Sequence, residues 1–185
     1  QAGLRAKDLV TQMLAFSRKD ESKPAALQIV PLVEGEISLL RSTLPSSIQI
    51  ETNLQQGLPD VEFDPVHLQQ ILMNLSVNAR DAMAGSGTLT IGVKLVQSVN
   101  EECIACHKKI DGTWVELSVT DTGSGIDANV MEHLFDPFFT TKPLGKGSGM
   151  GLAVVHGIIT RIEGHIIVES EPGKGCRMRL LFPPL

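Results

Sequence analysis

The segment from Asp121 to Leu152 constrains this chain more than any other. It opens with Asp121-Thr-Gly-Ser-Gly-Ile126, passes through Phe135-Asp-Pro-Phe-Phe-Thr-Thr-Lys142, and closes on Gly145-Lys-Gly-Ser-Gly-Met-Gly-Leu152. Two glycine clusters flanking an aromatic knot predict a nucleotide pocket with a mobile cover, because glycine permits both close approach of backbone to phosphate and large dihedral changes. A chain of 185 residues, 42% hydrophobic and 20% charged, is long enough to bury a core around such a pocket.

Several classes are disfavoured. The net charge of -5 argues against a dedicated nucleic-acid surface, so no nucleic-acid partner is expected. No apolar run approaches the roughly 18 residues of a membrane span, and no secretory signal is visible, so any tether is expected outside this sequence. Three cysteines are too few and too uneven for a disulfide framework, which points to a reducing compartment. Gln1 in place of a starting Met predicts a piece of something longer.

Residues 1–22 read as an amphipathic helix, with Leu9, Met13 and Phe16 at helical spacing and a stop at Arg18-Lys-Asp-Glu-Ser-Lys-Pro24. From residue 25 to 185 the chain reads as one compact domain. The patterns predict a strand over Leu27–Val30, a helix over Pro31–Leu44, a strand over Ser47–Leu54, and a long helix opened by Asp64-Pro65 and running to about Ala84. Strands follow over Thr88–Val96 and Thr113–Asp121, joined by a long polar connection. A short helix near Ala128–Leu134, a helix from Gly149 to about Glu163, and a hairpin of His165–Ser170 with Cys176–Phe182 complete the order. Mostly hairpin-connected strands with helices to one side imply an α+β two-layer sandwich with a mixed, mostly antiparallel sheet.

The long helix carries a chemical pattern. Leu68, Ile71, Leu72, Leu75, Ala79 and Ala82 gather on one face, and Asn74, Asn78 and Asp81 on an adjacent strip. Asn78 thus lies at the border of core and solvent, where a carboxamide oxygen can ligate a hard cation; read alone, such a strip is more often just a polar face. In the strand Thr113–Asp121, period-two alternation puts Asp121 on the same side as Val115, Leu117 and Val119. A carboxylate on the core face is costly without a hydrogen-bond donor, and the exocyclic amine of adenine is a suitable one. The helix after the second glycine cluster begins at the Gly-rich turn, so its free N–H groups would face an anion.

With these residues assembled, the chain closely resembles the catalytic ATP-binding domain of sensor histidine kinases, in the superfamily shared with DNA gyrase, MutL and the heat-shock chaperone ATPases. Asn74-Leu-Ser-Val-Asn78-Ala-Arg-Asp81-Ala resembles the N box, Asp121-Thr-Gly-Ser-Gly-Ile126 the first glycine box, Phe135-Asp-Pro-Phe-Phe139 the F box, and Gly147-Ser-Gly-Met-Gly-Leu152 the second glycine box. Gly173-Lys-Gly-Cys176 is similar to the last glycine turn, with Cys where Thr is usual. The resemblance covers about residues 25–185, and ordered motifs at these separations are far more specific than a lone glycine pattern.

The resemblance implies ATP and Mg²⁺ as cofactors. It implies Mg²⁺ on Asn78, the adenine amino group on Asp121, and close approach of the base and ribose at Gly123 and Gly125. Thr141, Lys142 and the backbone of Gly147, Ser148, Gly149, Met150, Gly151 and Leu152 would cover the phosphates, with Lys142 or Lys146 supplying a point charge. Asn74, Asp81, Ile126, Phe138 and Cys176 complete the implied nucleotide set, with Asn74 and Lys142 nearest the chemistry. In hydrolysing relatives a Glu precedes the Mg²⁺-binding Asn by four residues; Asn74 stands there instead, and an amide is no general base at neutral pH. Transfer to a protein nucleophile is therefore favoured over hydrolysis.

That nucleophile is expected outside the sequence. None of His67, His107, His133, His156 and His165 has the setting of the family's acceptor histidine. Residues 1–22, with Ala15-Phe-Ser-Arg18, resemble the second helix of the dimerisation hairpin. The implied partners are the histidine-bearing hairpin of the same protein and a response regulator receiver domain. The longer protein is expected to be a homodimer, cytoplasmic in its kinase part, and these residues alone to be a monomer without autophosphorylation. The competing readings are a hydrolysing clamp ATPase and a nucleotide-binding module with a sensing loop.

That loop is Cys103-Ile-Ala-Cys106-His107. It matches the CxxCH haem-attachment pattern, which a reducing compartment disfavours. A metal site built on Cys103, Cys106 and His107 would be one ligand short of closed structural zinc. A two-cysteine redox pair and a plain decorated hairpin loop, the favoured reading, are the remaining alternatives.

Overall fold

The computed structural model of the protein describes residues 24–97, 101–143 and 147–185; the helix predicted over 1–22 and the residues Gly145 and Lys146 lie outside the described residues. In chain order the elements are β1 (Ala25–Leu27), α1 (Ile29–Thr43), β2 (Ile48–Leu54), β3 (Val61–Phe63), α2 (Pro65–Ala82), β4 (Gly87–Gln97), β5 (Thr113–Asp121), the single turn α3 (Ala128–Met131), α4 (Gly151–Arg161), β6 (His165–Ser170) and β7 (Cys176–Phe182). Five strands form one sheet in the order β2-β4-β5-β7-β6, in which only β2 and β4 run parallel. The two short strands β1 and β3 pair antiparallel beside it. This is the α+β sandwich expected, with a mixed, mostly antiparallel sheet and helices on one side.

Local chemistry explains why α2 forms where it does. Asp64 Oδ1 accepts the Val66 N–H at 2.9 Å, and Pro65 occupies the first helical position, where its missing N–H leaves no bond unmade. The stripe Leu68, Ile71, Leu72, Leu75 and Ala79 is buried and joins Val115, Leu117 and Val119 of β5 in one core. Each fully buried Leu or Ile in that layer contributes about 1.5–3 kcal/mol relative to exposure. Phe63 and Phe182 meet edge-on at 5.1 Å and lock β3 against the end of β7.

The outer face of the sheet is covered at its β5-β7-β6 end, whereas the outward residues of β2, Gln49, Glu51 and Asn53, are exposed. Alternation along β5 sends Glu116 to that face, where it is nonetheless fully buried because Arg179 Nε and Arg177 Nη2 each donate to it at 2.9 Å. Glu101 and Glu169 complete the cluster around Arg179, and these carboxylates, against the cost of burial, hold its guanidinium firmly charged. Residues 101–110, the supposed decorated loop, fold across this face. Cys103 and Ile110 pack with Ile167 and Leu181 in a second small core, and Ile104 N–H donates to Ile166 O at 3.0 Å.

The boundaries differ from the sequence reading in a few places. The strand predicted over Leu27–Val30 ends at Leu27, because Ile29 and Val30 form the buried first turn of α1. The helices near Ala128 and Gly149 are shorter, at Ala128–Met131 and Gly151–Arg161. β3 was not predicted, since three residues carry too short an alternation to register.

Candidate functional site

Where β5 ends, the sheet and α2 enclose a cavity of about 450 Å³. Of the residues predicted for the site, Asn78, Asp81, Asp121, Gly125, Ile126, Thr141, Lys142 and Cys176 line it. Its apolar walls, Leu75, Ala79, Val119, Leu134 and Met178, were not singled out in the sequence as site residues. They are core positions of α2, β5 and β7 and of the segment after α3 that run on into the cavity, and only the topology brings them together.

Asp121 is 9% exposed. Gly123 N–H donates to its Oδ1 at 2.8 Å, which fixes the carboxylate in the cavity wall. Burial pushes this carboxyl up from its ordinary value, and the Gly123 and Cys176 amides pull in the opposite direction. The Cys176 thiol is pushed up to about 12 by burial and by the nearby Asp121 charge, so it is neutral at physiological pH. Gly125 has φ +70°, and a Cβ there would stand 2.0 Å from the Glu171 carbonyl oxygen. Glycine at 125 is thus required by the approach of the turn after β6, quite apart from any ligand.

A cation already sits on the polar strip of α2. Lys142 Nζ donates to Asp81 Oδ2 at 2.6 Å and to Asn78 Oδ1 at 3.3 Å, and Arg80 Nη2 donates to the other Asp81 oxygen at 2.7 Å. Burial opposes ionisation of Asp81, but Lys142 and Arg80 outweigh it and hold the carboxyl below its ordinary value.

The remaining predicted residues lie beside this cavity. Gly147, Ser148 and Gly149 lead into α4, and Met150, Gly151 and Leu152 form its start. Ser148 Oγ accepts the Met150 N–H at 3.3 Å, and Phe138 N–H donates to Gly149 O at 3.0 Å. A Cβ on Gly149, which has φ +67°, would stand 2.3 Å from the Phe138 backbone. Asn74 faces the same helix start, with its Oδ1 3.2 Å from where a Cβ of Gly151 would be. Phe138 is 58% exposed and lines a separate, larger cavity of about 1160 Å³ together with Phe135, Met150, His156 and Ile104.

The cysteine loop is organised differently from its sequence spacing. Cys103, Cys106 and His165 offer donor atoms that all lie within 4.8 Å of one another. His107 turns away with φ +55°, and its Nδ1 lies 3.4 Å from Glu102 Oε1. Nothing in the spacing Cys-x-x-Cys-His announces His165, which arrives from β6. Its only sequence signal is the alternation that puts His165 with Ile167 on the outer face of that strand.

Comparison with known proteins agrees with this geometry. Residues 63–185 match the model of the family described as histidine kinase-, DNA gyrase B- and HSP90-like ATPase. The sensor kinase CckA of Brucella abortus (strain 2308) is 36% identical over 98% of this chain and 19% of its own length. Sensor histidine kinase ZraS of Escherichia coli (strain K12) is 32% identical over 97% of this chain and 35% of its own. The crystal structure of full-length ShkA in complex with AMPPNP superimposes with a TM-score of 0.74 at 25% identity, over 96% of this chain and 36% of that one. The chain therefore spans about a fifth to a third of these relatives. With the mixed sheet, the N-box helix and the first glycine turn in place around one cavity and the second glycine turn beside it, the chain belongs to the histidine kinase-, DNA gyrase B- and HSP90-like ATPase family, as a catalytic ATP-binding domain of the sensor histidine kinase kind.

Proposed function

We propose that the protein binds ATP with Mg²⁺ in the cavity between α2 and β5 and transfers the terminal phosphoryl group to a histidine of the dimerisation hairpin of the same longer protein. The observation that carries this reading is the buried Asp121 carboxylate in an apolar-walled slot, with a cation-holding oxygen pair, Asn78 and Asp81, on the facing helix. The slot supplies apolar walls for a purine and a buried acceptor for its amino group. Residues 25–185 are read as the catalytic domain and 1–22 as the end of the hairpin.

The residues fit a hard divalent ion. Asn78 Oδ1 and Asp81 Oδ2 are oxygen donors, and they already hold the Lys142 ammonium between them. Bound Mg²⁺ would neutralise charge on the phosphates, with Asn78 as its protein ligand. Lys142, released from that pair, would then be free to place its point charge on a phosphate oxygen. The start of α4 offers backbone N–H groups to the phosphates, since no side chain caps it from Met150. Asn74, at the same helix start, cannot take a proton from water, which supports transfer rather than hydrolysis.

By analogy with the sensor kinases it resembles, the partners are the histidine hairpin and the receiver domain of a response regulator, in a homodimeric protein whose kinase part is cytoplasmic. Among the described residues no helix is long and apolar enough to cross a membrane. Calorimetric titration of ATP with and without Mg²⁺ tests the reading. The wild type should bind more tightly with the ion, and Asn78→Ala should lose that increment while keeping metal-free affinity. An Asn78→Ala variant with the full Mg²⁺ increment would remove the basis for the assignment.

A further inference from the structure

We infer that Cys103, Cys106 and His165 form a zinc site that clamps the inserted loop 101–110 onto the outer face of the sheet. The three donors come from two separate parts of the chain and converge to within 4.8 Å. Cys106 Sγ lies 3.5 Å from His165 Nδ1. Tetrahedral zinc, with Zn–S near 2.3 Å and Zn–N near 2.0–2.1 Å, requires an S···N separation of about 3.6 Å and an S···S separation of about 3.8 Å. The observed arrangement meets the first and leaves room for the second.

Both sulfurs accept backbone hydrogen bonds. Ile166 N–H donates to Cys103 Sγ at 3.4 Å, and the Lys108 backbone N–H donates to Cys106 Sγ. Such donors to both sulfurs orient the ligand atoms and hold them in place. The loop itself closes as a tight knuckle: His107 N–H donates to Cys103 O at 2.8 Å and Cys103 N–H to Lys108 O at 2.9 Å. The left-handed backbone at His107 permits that reversal, which is why its side chain points elsewhere. Trp114 packs edge-on against the His165 ring, with centroids 4.9 Å apart, and steadies its plane.

A disulfide would need only the two sulfurs and an external oxidant, and it would leave the approach of His165 without a purpose. Zinc accounts for all three donors. On binding, two thiols release two protons, so the two thiolates balance the charge of the ion and His165 ligates as the neutral imidazole. The fourth position opens toward solvent on the exposed Cys106 side and is taken by water. Because Ile104, Ala105 and His107 form one wall of the 1160 Å³ cavity beside Phe135 and Phe138, the ion would also fix that wall.

The test is metal analysis of the reduced chain purified without chelator and then titrated with Zn²⁺ or Co²⁺ alone. We expect one ion per chain, and for Co²⁺ the intense visible bands of a tetrahedral centre with a thiolate charge-transfer band. His165→Gln and Cys106→Ser should each weaken Co²⁺ binding by more than about tenfold, since loss of even a supporting residue costs that much. His107→Ala should leave it unchanged. Circular dichroism and ATP binding report whether each variant is folded. No stoichiometric ion, a dependence on His107 in place of His165, or a protein isolated with Cys103 and Cys106 joined as a disulfide would each overturn the inference.

Discussion

If the buried Asp121 carboxylate accepts the amino group of adenine, Asp121→Ala must weaken ATP and spare a purine that lacks that group. A hydrogen bond to a charged acceptor contributes about 1.5–3 kcal/mol. At 1.4 kcal/mol per tenfold, this predicts a loss of about 10- to 150-fold in ATP affinity. The upper part of that range is expected, because the carboxylate is only 9% exposed and already held by Gly123 N–H, so little ordering remains to be done on binding. The assay is calorimetric titration of ATP and of inosine triphosphate, in which an oxygen replaces the amino group. Wild type should prefer ATP and Asp121→Ala should bind both alike. Equal losses for both nucleotides, or unchanged ATP affinity, would refute the reasoning. The fold should survive the related change Asp121→Asn. Burial raises the Asp121 carboxyl above its ordinary 3.8, so its contribution to stability is full below that pH and is lost as pH rises through the folded value. Once that contribution is lost the carboxyl gives the fold no advantage over an amide, and urea unfolding above the folded value should find Asp121→Asn no less stable than wild type.

Other perturbations bear on separate parts of the account. Gly125→Ala forces a Cβ to within 2.0 Å of Glu171 O in a left-handed conformation, and left-handed strain of about 1–2 kcal/mol with overpacking of about 1–3 kcal/mol predicts a loss of about 2–5 kcal/mol. An unchanged urea midpoint would show that the turn is not packed as described. Asp81, held below its ordinary pKa by Lys142 and Arg80, contributes stability above that ordinary value, and the contribution is lost as pH falls through the folded value. Asp81→Asn should therefore flatten the acid limb of the stability curve, and parallel acid limbs in wild type and variant would count against the ion pair. Phosphate release from ATP should stay near background in wild type and in Asn74→Ala; substantial turnover that Asn74→Ala abolishes would make the chain a hydrolase.

Much of the site was legible because its parts are carried by local rules. Asp64-Pro65 fixes the start of α2, the helical period then sets Asn78 and Asp81 on one strip, and period-two alternation delivers Asp121 to the core side of β5. The Lys142 contact with Asn78 and Asp81 was beyond such rules, because it joins residues more than sixty positions apart through a turn with no periodicity. The same limit hid His165. Its adjacency to Cys106 depends on the insert folding back across β6, which is decided by Cys103 and Ile110 burying themselves on Ile167 and Leu181. The buried Glu116 was overlooked for a related reason: an outward-facing carboxylate reads as solvated until Arg177 and Arg179 of β7 are laid beside it.

Phosphoryl transfer in trans tests the central claim most directly. The protein, Mg²⁺ and γ-labelled ATP should be incubated with the separately produced histidine-bearing hairpin of the longer protein. The account predicts acid-labile label on the hairpin histidine, none on the five histidines of this chain, and loss of transfer in Asp121→Ala. Label on a histidine of this chain, or release of the phosphate to water without transfer, would contradict it.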